Sequence, residues 1–436
     1  MKLFRMAIPR YKNVRDFTKK HLGLVEMERQ AEIDEQKELV GSMTPEQLEQ
    51  AGICMRKMVM VSQAASLFGR TVCSFQPYWM GKENLATKAG KTALSNSVLS
   101  TGDIVGLCQA PALGKTLISG VVTQVNEGKL DIAFDSLDSR EDNVEIDFDH
   151  LFDIVKLAPD ITYRRLKSGL EYLQCLDHPL VEIFFQQRPA LRPQGSAERI
   201  EDREQDLKGH GLNSSQTHAI ANAMAQPEVA IIHGPPGTGK TTTLAEFISR
   251  QIEKGVKVLA CAPSNVAVDN LAEKLLDKGV KNLVRLGHPA RVLPRLQSCC
   301  LDAVINSSDI MEVCDDIKKE ISEHTGKLMK SRDKNEKWRL RGILKELRKD
   351  LTIRQKRATS EAIQGASIVL STLTSLSTEE GVLARNVKED QFGLVVIDEC
   401  SQALEAACWL ALPFARKCVL AGDHLQLPAT IVSEKY

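Results

Sequence analysis

The sequence predicts an α/β protein in which helices cover both faces of a parallel sheet, with a small antiparallel barrel nearer the N-terminus. Two observations support this fold class. After Asn213, apolar strand-like runs alternate with helical segments, which is the pattern of a parallel sheet buried on both sides. From about Ile53 to Leu157, short β-favouring pieces are separated by turn residues, which is typical of a closed antiparallel sheet.

The composition is that of an ordinary globular protein. The 436 residues are 43% hydrophobic and 26% charged. No run of about eighteen apolar residues occurs, and the N-terminal stretch MKLFRMAIPRYKNVRDF lacks the apolar core of a secretory signal. The eleven cysteines show no repeated C-x-x-C spacing. We therefore expect a cytoplasmic and nuclear protein with reduced thiols and without a membrane segment.

Four segments follow from the pattern along the chain. A charged, helix-favouring run makes residues 1–50 a helical or stalk segment, and the β-favouring pieces place the barrel at 51–158. In the barrel, residues 126–129 are predicted to form a hairpin turn and 78–98 a polar, basic loop. Helical periodicity returns at about 161–185, and a linker rich in Pro, Gly and charge follows at 188–205. The third segment is therefore a stalk helix and linker at 159–205, and the fourth is the sheet domain at 206–436.

The sheet domain contains five strand-like runs and one long helical insertion. The runs are VAIIH at 229–233, KVLACA at 257–262, ASIVLS at 366–371, LVVID at 394–398 and KCVLAG at 417–422. The insertion lies at about 301–363. Its stretch from Lys327 to Arg357 holds thirteen Lys and Arg against four Asp and Glu, although the whole chain has a formal net charge of zero. This surplus favours contact with nucleic acid, and a solvated helical face is the alternative.

The stretch HGPPGTGKTTT follows the first of these strands and fits the pattern G-x-x-x-x-G-K-[ST]. Glycines let backbone N–H groups surround a phosphate chain, a lysine supplies a positive charge, and a Thr hydroxyl can bind Mg²⁺. The alternative is a Gly-rich turn without a ligand. The predicted nucleotide-binding residues are Gly234, Pro235, Pro236, Gly237, Thr238, Gly239, Lys240, Thr241 and Thr242.

Two acidic residues end the LVVID run. Asp398 is placed to hold Mg²⁺ together with Thr241, and Glu399 to orient or deprotonate an attacking water. Acidic pairs are common in proteins, but ligands bind at the carboxyl ends of parallel strands, so the position favours a function. The predicted ligands are ATP and Mg²⁺.

Two glutamines are further candidates. Gln216 precedes the first strand of the sheet, and its amide could read the edge of adenine, whereas the alternative is a surface glutamine in a helix. Gln426, in GDHLQLP after the last strand run, could contact the γ-phosphate, and the alternative is a loop amide. With Lys240, Asp398 and Glu399, Gln426 completes the predicted catalytic set.

Taken together, HGPPGTGKT, CAPSNVAVDNL, VRLGHPAR, VVIDECSQALEAACW and AGDHLQLPAT resemble successive motifs of superfamily 1 helicases of the up-frameshift-like branch, and within it the immunoglobulin-mu-binding group. TGDIVGLCQ and DITYRRLK extend this similarity into the barrel and stalk. The resemblance implies a RecA-like P-loop NTPase core with the barrel inserted on a helical stalk. It also implies ATP-driven, 5′-to-3′ unwinding of DNA or RNA and supports the roles given above to Gln216 and Gln426.

The resemblance adds candidate contacts to single-stranded DNA or RNA. Pro263, Ser264 and Asn265 in CAPSNVAVDNL match a segment that family members use to contact the sugar-phosphate backbone. Thr372 and Thr374 in STLTS are similar to a later strand-binding motif. Helix capping is the alternative for such hydroxyl-rich runs. Ribosomes or RNA-processing factors are partners that the family suggests.

The motif AGDHLQLPAT lies close to the last residue, Tyr436. Helicases of this type have two RecA-like halves, so we expect this sequence to supply the first half and to lack the arginine finger of the second. Two alternatives stay open: a nucleic-acid-binding regulatory module that does not unwind, and an RNA-surveillance helicase. The latter is disfavoured because the cysteines do not match its N-terminal zinc module.

Overall fold

A computed structural model describes residues 12–65, 70–78, 99, 103–109, 116–126, 128–135, 150–157, 160–191, 200, 204–207, 211–287, 292–330, 333–377, 382–387 and 391–433. The predicted polar loop, apart from Tyr78, falls almost entirely outside these ranges. So do most of the predicted linker, one residue of the predicted hairpin turn, Glu127, and the terminal Tyr436.

A six-stranded parallel sheet forms the centre of the C-terminal half, as the sequence predicts. Its strand order is β7-β12-β11-β8-β10-β9. The strands are β7 (Val229–His233), β8 (Val258–Ala262), β9 (Leu283–Arg285), β10 (Ile368–Thr372), β11 (Leu394–Ile397) and β12 (Cys418–Gly422). The predicted runs correspond to five of these strands within one or two residues. The sixth strand, β9, was not predicted, because three residues are too few to show a periodicity.

Alternate side chains of the central strands enter two separate cores. In β8, Leu259 and Cys261 pack on one face of the sheet, whereas Val258, Ala260 and Ala262 pack on the other. This alternation follows from the two-residue period of a strand. Both faces are covered, so the strand is buried along its whole length. The continuous apolar run in the sequence is the direct consequence.

Helices cover the two faces. They are α5 (Ser214–Ala225), α6 (Lys240–Glu253), α7 (Asn265–Asp277), α8 (Leu301–Asn306), α9 (Asp309–Lys330), α10 (Lys334–Gly365), α11 (Val382–Asn386) and α12 (Glu405–Cys408). The predicted insertion consists of α8, α9 and α10. Helices α9 and α10 pack against each other through apolar side chains that include Ile317, Ile321 and Leu344.

The predicted barrel is present and closed. Its six antiparallel strands follow the order β1-β2-β5-β4-β3-β6. They are β1 (Cys54–Ala65), β2 (Arg70–Pro77), β3 (Ile104–Gln109), β4 (Thr116–Asn126), β5 (Lys129–Asp135) and β6 (Leu151–Lys156). Because the sheet closes on itself, each of these described strands has a neighbour on both sides.

Three aromatic rings pack together inside the barrel, among aliphatic side chains. Phe75 packs edge-to-face on Phe134 and Phe152, with ring centroids 6.4 and 6.0 Å apart. The backbone of β4 must come close to this cluster, because a Cβ atom at Gly120 would lie 2.6 Å from a methyl group of Ile132. A glycine is therefore needed at this position for the barrel to close around its core.

A helical stalk joins the barrel to the sheet domain. The helices are α1 (Lys12–Ser42), α2 (Pro45–Gln50), α3 (Asp160–Leu173) and α4 (Pro179–Phe184). The chain leaves along α1 and returns along α3, which packs beside it. Stacking of Phe185 on Trp409, with centroids 5.5 Å apart, fixes the stalk to the sheet domain. None of the helices in the described part of the chain is long and apolar enough to cross a membrane.

Candidate nucleotide and nucleic-acid site

The glycine-rich loop connects β7 to α6 and has a backbone that only glycine adopts without strain. Gly237 and Gly239 have φ angles of 78° and 81°. A Cβ atom at Gly239 would also lie 2.6 Å from the side-chain nitrogen of Gln216. The turn is closed by Thr238, whose hydroxyl donates to the carbonyl of Pro235 over 2.7 Å. The positive φ angles and this hydrogen bond together fix the curve of the loop.

Helix α6 begins at Lys240 without the usual means of satisfying its first N–H groups. Its N-cap residue, Gly239, has no side chain to accept a hydrogen bond, and the first turn contains no acidic residue. Unpaired N–H groups and the positive end of the helix dipole favour an anion at this position. Pro235, Pro236, Gly237 and Thr238 are exposed, so an anion can reach it. Thr242 lies in the same first turn.

The two predicted acidic residues lie opposite the start of α6. The N–H of Asp398 donates to the carbonyl of Cys261 on the neighbouring strand over 2.8 Å, which fixes the carboxyl end of β11. The hydroxyl of Thr241 donates to Asp398 Oδ2 over 3.3 Å. Lys240 Nζ lies 3.4 Å from Glu399 Oε1. Four residues from two distant segments of the sequence thus form one cluster, as the motifs predict.

Glu399 has an unusual backbone conformation. Its φ of 50° is in the left-handed region, which costs free energy for a residue that has a Cβ atom. Gln402 Nε2 donates to Glu399 Oε2 over 3.3 Å, while the other carboxylate oxygen faces Lys240. Such strain is found where a side chain must point in a required direction. Here it directs the carboxylate of Glu399 toward the glycine-rich loop.

The carboxyl of Asp398 is held in an environment that disfavours its charge. Burial, and then the nearby carboxylate of Glu399, raise its pKa to about 6. The hydrogen bonds from Glu399 N–H and Thr241, together with Lys240, oppose this shift without cancelling it. A hard divalent cation beside Asp398 and Thr241 would remove the penalty, since both offer oxygen ligands of the kind that Mg²⁺ prefers.

We expect Asp398→Asn to stabilise the protein in the absence of ligand. The folded-state pKa lies above that of an unfolded aspartate, so ionised Asp398 destabilises the fold above about pH 6, and the penalty disappears as pH falls toward about 4. A shift of about two pH units corresponds to roughly 3 kcal/mol near pH 7.5. Denaturant unfolding of parent and variant at pH 7.5 and pH 4.5 measures the difference.

The matched control for this prediction is Asp277→Asn, because Asp277 is an exposed aspartate that pairs with Arg295 at the surface. Its effect should be small at both pH values. If Asp398→Asn destabilises the protein equally at both pH values, the pKa of Asp398 is not raised in the folded protein.

Gln216 lies beside the loop, although its amide already has partners. Its backbone N–H donates to Asn213 Oδ1 over 2.9 Å, and its Oε1 accepts a hydrogen bond from Asn213 N–H over 3.0 Å. Its Nε2 donates to the carbonyl of Thr238 over 2.9 Å. The structure thus places Gln216 on the glycine-rich loop. Recognition of adenine by this amide stays a prediction.

Gln426 belongs to a turn organised by Asp423. Gln426 Nε2 donates to Asp423 Oδ2 over 3.1 Å, and His233 Nε2 lies 3.1 Å from Asp423 Oδ1. These hydrogen bonds lower the pKa of Asp423, with that from Gln426 contributing most. Sequence reasoning gave no role to His233 or Asp423. The signal was present, since Asp423, like Asp398, directly follows a strand of the parallel sheet.

The candidate nucleic-acid residues after β8 are engaged by the protein itself. Ser264 is the N-cap of α7, and its Oγ accepts the N–H of Ala267 over 3.1 Å. Asn265 Oδ1 accepts a hydrogen bond from Arg285 Nη2 over 2.8 Å. This contact uses the amide oxygen, so the amide nitrogen of Asn265 is the atom that could donate to a ligand. The capping alternative therefore applies to Ser264. Pro263 is half-buried between β8 and this cap.

Arg285 is fully buried beneath this segment and was missed by the sequence reasoning. Its Nε donates to Asp269 Oδ1 over 2.9 Å, and Asp269 Oδ2 accepts the N–H of Leu293. A buried arginine needs such partners to offset the loss of hydration. Only its place in VRLGHPAR could have indicated it. Through Arg285, the short strand β9 orients Asn265 at the start of α7.

The second pair of candidates is less accessible. Thr372 is buried, and its hydroxyl lies 2.6 Å from Ser375 Oγ. The backbone carbonyl of Thr374 accepts from Arg165 Nη1 of the stalk helix α3 over 2.9 Å. The Thr374 side chain is half-buried. Contact of these threonines with a strand stays a prediction.

The basic run of the insertion forms a stripe on one face of α10, which we call the basic stripe. It consists of Arg341, Lys345, Lys349 and Lys356, all exposed and spaced by four or seven residues. Trp338 lies three residues before the stripe, and 81% of its surface is exposed. Elsewhere on the helix, Arg354 pairs with Asp350 and Arg357 with Glu361. The excess charge is thus concentrated on one face.

Two protein families match separate parts of the chain. The family described as "AAA domain" matches residues 211–434, which contain the parallel sheet, the glycine-rich loop and the insertion. The family described as "Helicase SMUBP-2/HCS1, 1B domain" matches residues 18–157, which contain the barrel and most of the first stalk helix.

Two of the individual relatives match nearly the whole chain, and a third matches about two thirds of it. "DNA-binding protein SMUBP-2" of Mesocricetus auratus is 39% identical over 427 residues, covering 97% of this chain and 41% of the relative. "DNA polymerase alpha-associated DNA helicase A" of Schizosaccharomyces pombe is 29% identical over 435 residues, covering 97% and 62%. "ATP-dependent helicase upf1" of the same yeast is 28% identical over 318 residues, covering 68% and 31%. The chain therefore spans less than two thirds of each relative.

Proposed function

Since this chain belongs to the AAA-domain family and carries a 1B domain of the SMUBP-2/HCS1 helicase type, we propose that it forms the ATP-binding half of an ATP-dependent helicase that moves along single-stranded DNA or RNA. This proposal agrees with the motifs that resemble the up-frameshift-like branch of superfamily 1. The names of two relatives support a helicase, since one is called a DNA helicase and the other an ATP-dependent helicase.

The observation that supports the proposal best is the convergence of two distant chain segments on one point. The glycine-rich loop and the start of α6 bring backbone N–H groups and Lys240. The end of β11 brings Asp398, which accepts from Thr241, and Glu399, which faces Lys240 at 3.4 Å. A structural turn does not require an acidic pair, a lysine and uncapped N–H groups together, whereas a bound nucleoside triphosphate does.

The residues fit ATP with Mg²⁺ on the chemistry of their donor groups. The uncapped N–H groups of α6 and the ammonium of Lys240 would hold the phosphates. Thr241 and Asp398 would hold Mg²⁺, and the raised pKa of Asp398 is that of a carboxyl whose charge its present neighbours do not fully offset. Mg²⁺ would neutralise charge that develops on the phosphate oxygens.

Glu399 is the residue we assign to the attacking water. Its carboxylate is half-buried, it is directed by the left-handed backbone, and one oxygen is already fixed by Gln402. If the ammonium of Lys240 contacted a phosphate instead, Glu399 Oε1 would become available to accept a proton from water. In the absence of nucleotide, the ion pair with Lys240 therefore engages the carboxylate of Glu399, the proposed general base.

Nucleic acid would be bound by the start of α7 and by the basic stripe of the insertion. Asn265, held by Arg285 through its oxygen, directs its donor nitrogen away from that contact and could donate to a phosphate oxygen. The basic stripe would supply phosphate neutralisation without base specificity. DNA and RNA both present these phosphates, so the proposal covers both.

We expect Glu399→Gln to keep ATP binding and to lose ATP hydrolysis. The amide preserves the shape of the side chain but cannot take up a proton, and general-base contributions amount to about 10²- to 10⁴-fold in rate. Because the substitution removes the negative charge of Glu399 next to Asp398, the affinity for ATP with Mg²⁺ should be unchanged or higher. Single-turnover hydrolysis with protein in excess, with and without a single strand, measures the rate.

The control is Glu253→Gln, because Glu253 is exposed at the far end of α6. Equal hydrolysis rates for Glu399→Gln and the parent would refute the assignment of the base. If the parent binds ATP and single strands but shows no hydrolysis with a strand present, the chain acts instead as a nucleotide-binding module without catalysis.

A further inference from the structure

Three side chains with metal-binding atoms meet at one edge of the parallel sheet, outside the proposed Mg²⁺ position. His233 is the last residue of β7, and its neighbour in the adjacent strand is Gly422, the last residue of β12. Asp423 and His424 follow directly after Gly422. The three side chains therefore meet because the carboxyl ends of β7 and β12 are neighbours in the sheet, although His233 is distant in sequence from Asp423 and His424.

The distances between these groups suit a single metal ion. One ring nitrogen of each histidine and one carboxylate oxygen of Asp423 all lie within 4.8 Å of one another. His233 Nε2 is 3.1 Å from Asp423 Oδ1, and the two imidazole rings have centroids 5.0 Å apart. Ligands of a tetrahedral zinc ion with bonds of about 2.0 to 2.1 Å are separated by about 3.3 Å. The separation of His233 Nε2 from Asp423 Oδ1 already matches this spacing, and a ring nitrogen of His424 lies within 4.8 Å of both residues' ligand atoms.

The carboxylate is held in place by neighbours, as in established metal sites. Asp423 is 2% exposed, and its Oδ1 accepts the N–H of Leu425 while its Oδ2 accepts from Gln426. Its backbone exchanges two hydrogen bonds with the hydroxyl of Ser401, of 3.0 and 3.2 Å. The two imidazole rings differ from Asp423 in being accessible, since 46% of the His233 side chain is exposed and His424 is also exposed.

We propose that His233, Asp423 and His424 form a binding site for one divalent transition-metal ion of the Zn²⁺ class, with a water molecule as the fourth ligand. Two imidazole nitrogens and one carboxylate oxygen favour Zn²⁺, Co²⁺, Ni²⁺ or Cu²⁺. Mg²⁺ prefers oxygen ligands and belongs with Thr241 and Asp398 instead.

An ion at this site would tie the turn that carries Gln426 to the strand that leads into the glycine-rich loop. Asp423 is the partner of Gln426, so a metal bound to Asp423 and His233 fixes both sides of that turn. If Gln426 senses the γ-phosphate, which rests on the proposed function, the ion should slow the step in which this side chain turns to the nucleotide. Transition-metal binding would then inhibit ATP hydrolysis.

Calorimetric titration of the tag-free chain with Zn²⁺, without nucleotide, tests the site directly. We expect one saturable site in the parent, an affinity at least about ten-fold lower in His424→Ala because one of three ligands is removed, and no competition from excess Mg²⁺. The visible absorption of bound Co²⁺ gives an independent measurement of the coordination. His424 is exposed, so its replacement leaves the sheet intact.

The matched control is His218→Ala, since His218 is an exposed histidine that pairs with Glu204 alone among the described residues, at 2.6 Å. This variant should bind Zn²⁺ as the parent does. Equal affinities for His424→Ala and the parent, displacement by Mg²⁺, or absence of a saturable site would each overturn the proposal. The titration contains no nucleotide, so its result is independent of whether the chain hydrolyses ATP.

Discussion

Replacing Lys240 with alanine is expected to reduce the affinity for ATP with Mg²⁺ by at least about 100-fold. The ammonium would form charge-assisted hydrogen bonds with phosphate oxygens, and each such bond contributes about 1.5 to 3 kcal/mol. The side chain is 8% exposed and lies at the start of α6, next to the uncapped N–H groups that would also contact the phosphates. Calorimetric titration with ATP and Mg²⁺ gives the affinity of parent and variant.

The control is Lys254→Ala, which removes an exposed lysine directly after the C-terminal end of the same helix. Its affinity for ATP should equal that of the parent. If Lys240→Ala binds ATP as the parent does, the glycine-rich loop is not a nucleotide site. Thermal unfolding must accompany the titration, because the substitution leaves the carboxylates of Asp398 and Glu399 next to each other without the ammonium of Lys240.

Much of the sheet domain could be predicted because its signals are local. A strand buried on both faces requires a continuous apolar run, and this requirement acts on consecutive residues such as those of β8 and β11. The barrel strands were recognised for a similar reason, through short β-favouring pieces between turns. Strand β9 was missed because its three residues owe their place to pairing with β10, which is distant in sequence.

The nucleotide site was predictable in its residues but only partly in its contacts. Lys240, Thr241, Asp398 and Glu399 belong to two short motifs, and the carboxyl ends of parallel strands bring such motifs together. The hydrogen bond from Gln216 to the loop carbonyl could not be predicted, because it depends on how α5 packs. The same is true of His233 and Asp423, which meet only because β7 and β12 are neighbours.

Two of the nucleic-acid candidates, Ser264 and Thr372, also have roles within the protein itself. The resemblance to the helicase family implies both as contacts to a strand; in the structure Ser264 caps a helix and Thr372 is buried against Ser375. Both uses need the same chemistry, so sequence alone does not separate them. Arg285 shows the opposite case, since a long charged side chain that suggests the surface is fully buried and orients Asn265.

The basic run of the insertion was recognised from composition, whereas its distribution over the faces of α10 requires the helix. Thirteen basic residues could have been paired evenly with carboxylates of the same insertion. Instead, Arg354 and Arg357 have such partners, while Arg341, Lys345 and Lys349 lie together on an exposed face beside Trp338. An aromatic ring next to a row of cations offers stacking to a base and neutralisation to the backbone.

Neutralising the basic stripe is expected to weaken binding of single strands and to flatten its dependence on salt. The variant replaces Arg341, Lys345, Lys349 and Lys356 with glutamine. For every phosphate of a single strand that is no longer neutralised, the slope of log K against log salt should decrease by about 0.7, which gives about 3 for four phosphates. At about 0.1 M salt, the affinity should fall by roughly two to three orders of magnitude. Fluorescence anisotropy over a salt series measures both quantities.

The matched control removes four charges from the same insertion at residues that pair with carboxylates. It replaces Lys318, Lys319, Arg354 and Arg357 with glutamine, and their partners are Asp315, Asp316, Asp350 and Glu361. This variant has the same net charge as the stripe variant, so a difference between them reports position and not total charge. Equal slopes for both variants and the parent would make the basic stripe a solvated helical face and would leave strand binding to the barrel and to the start of α7.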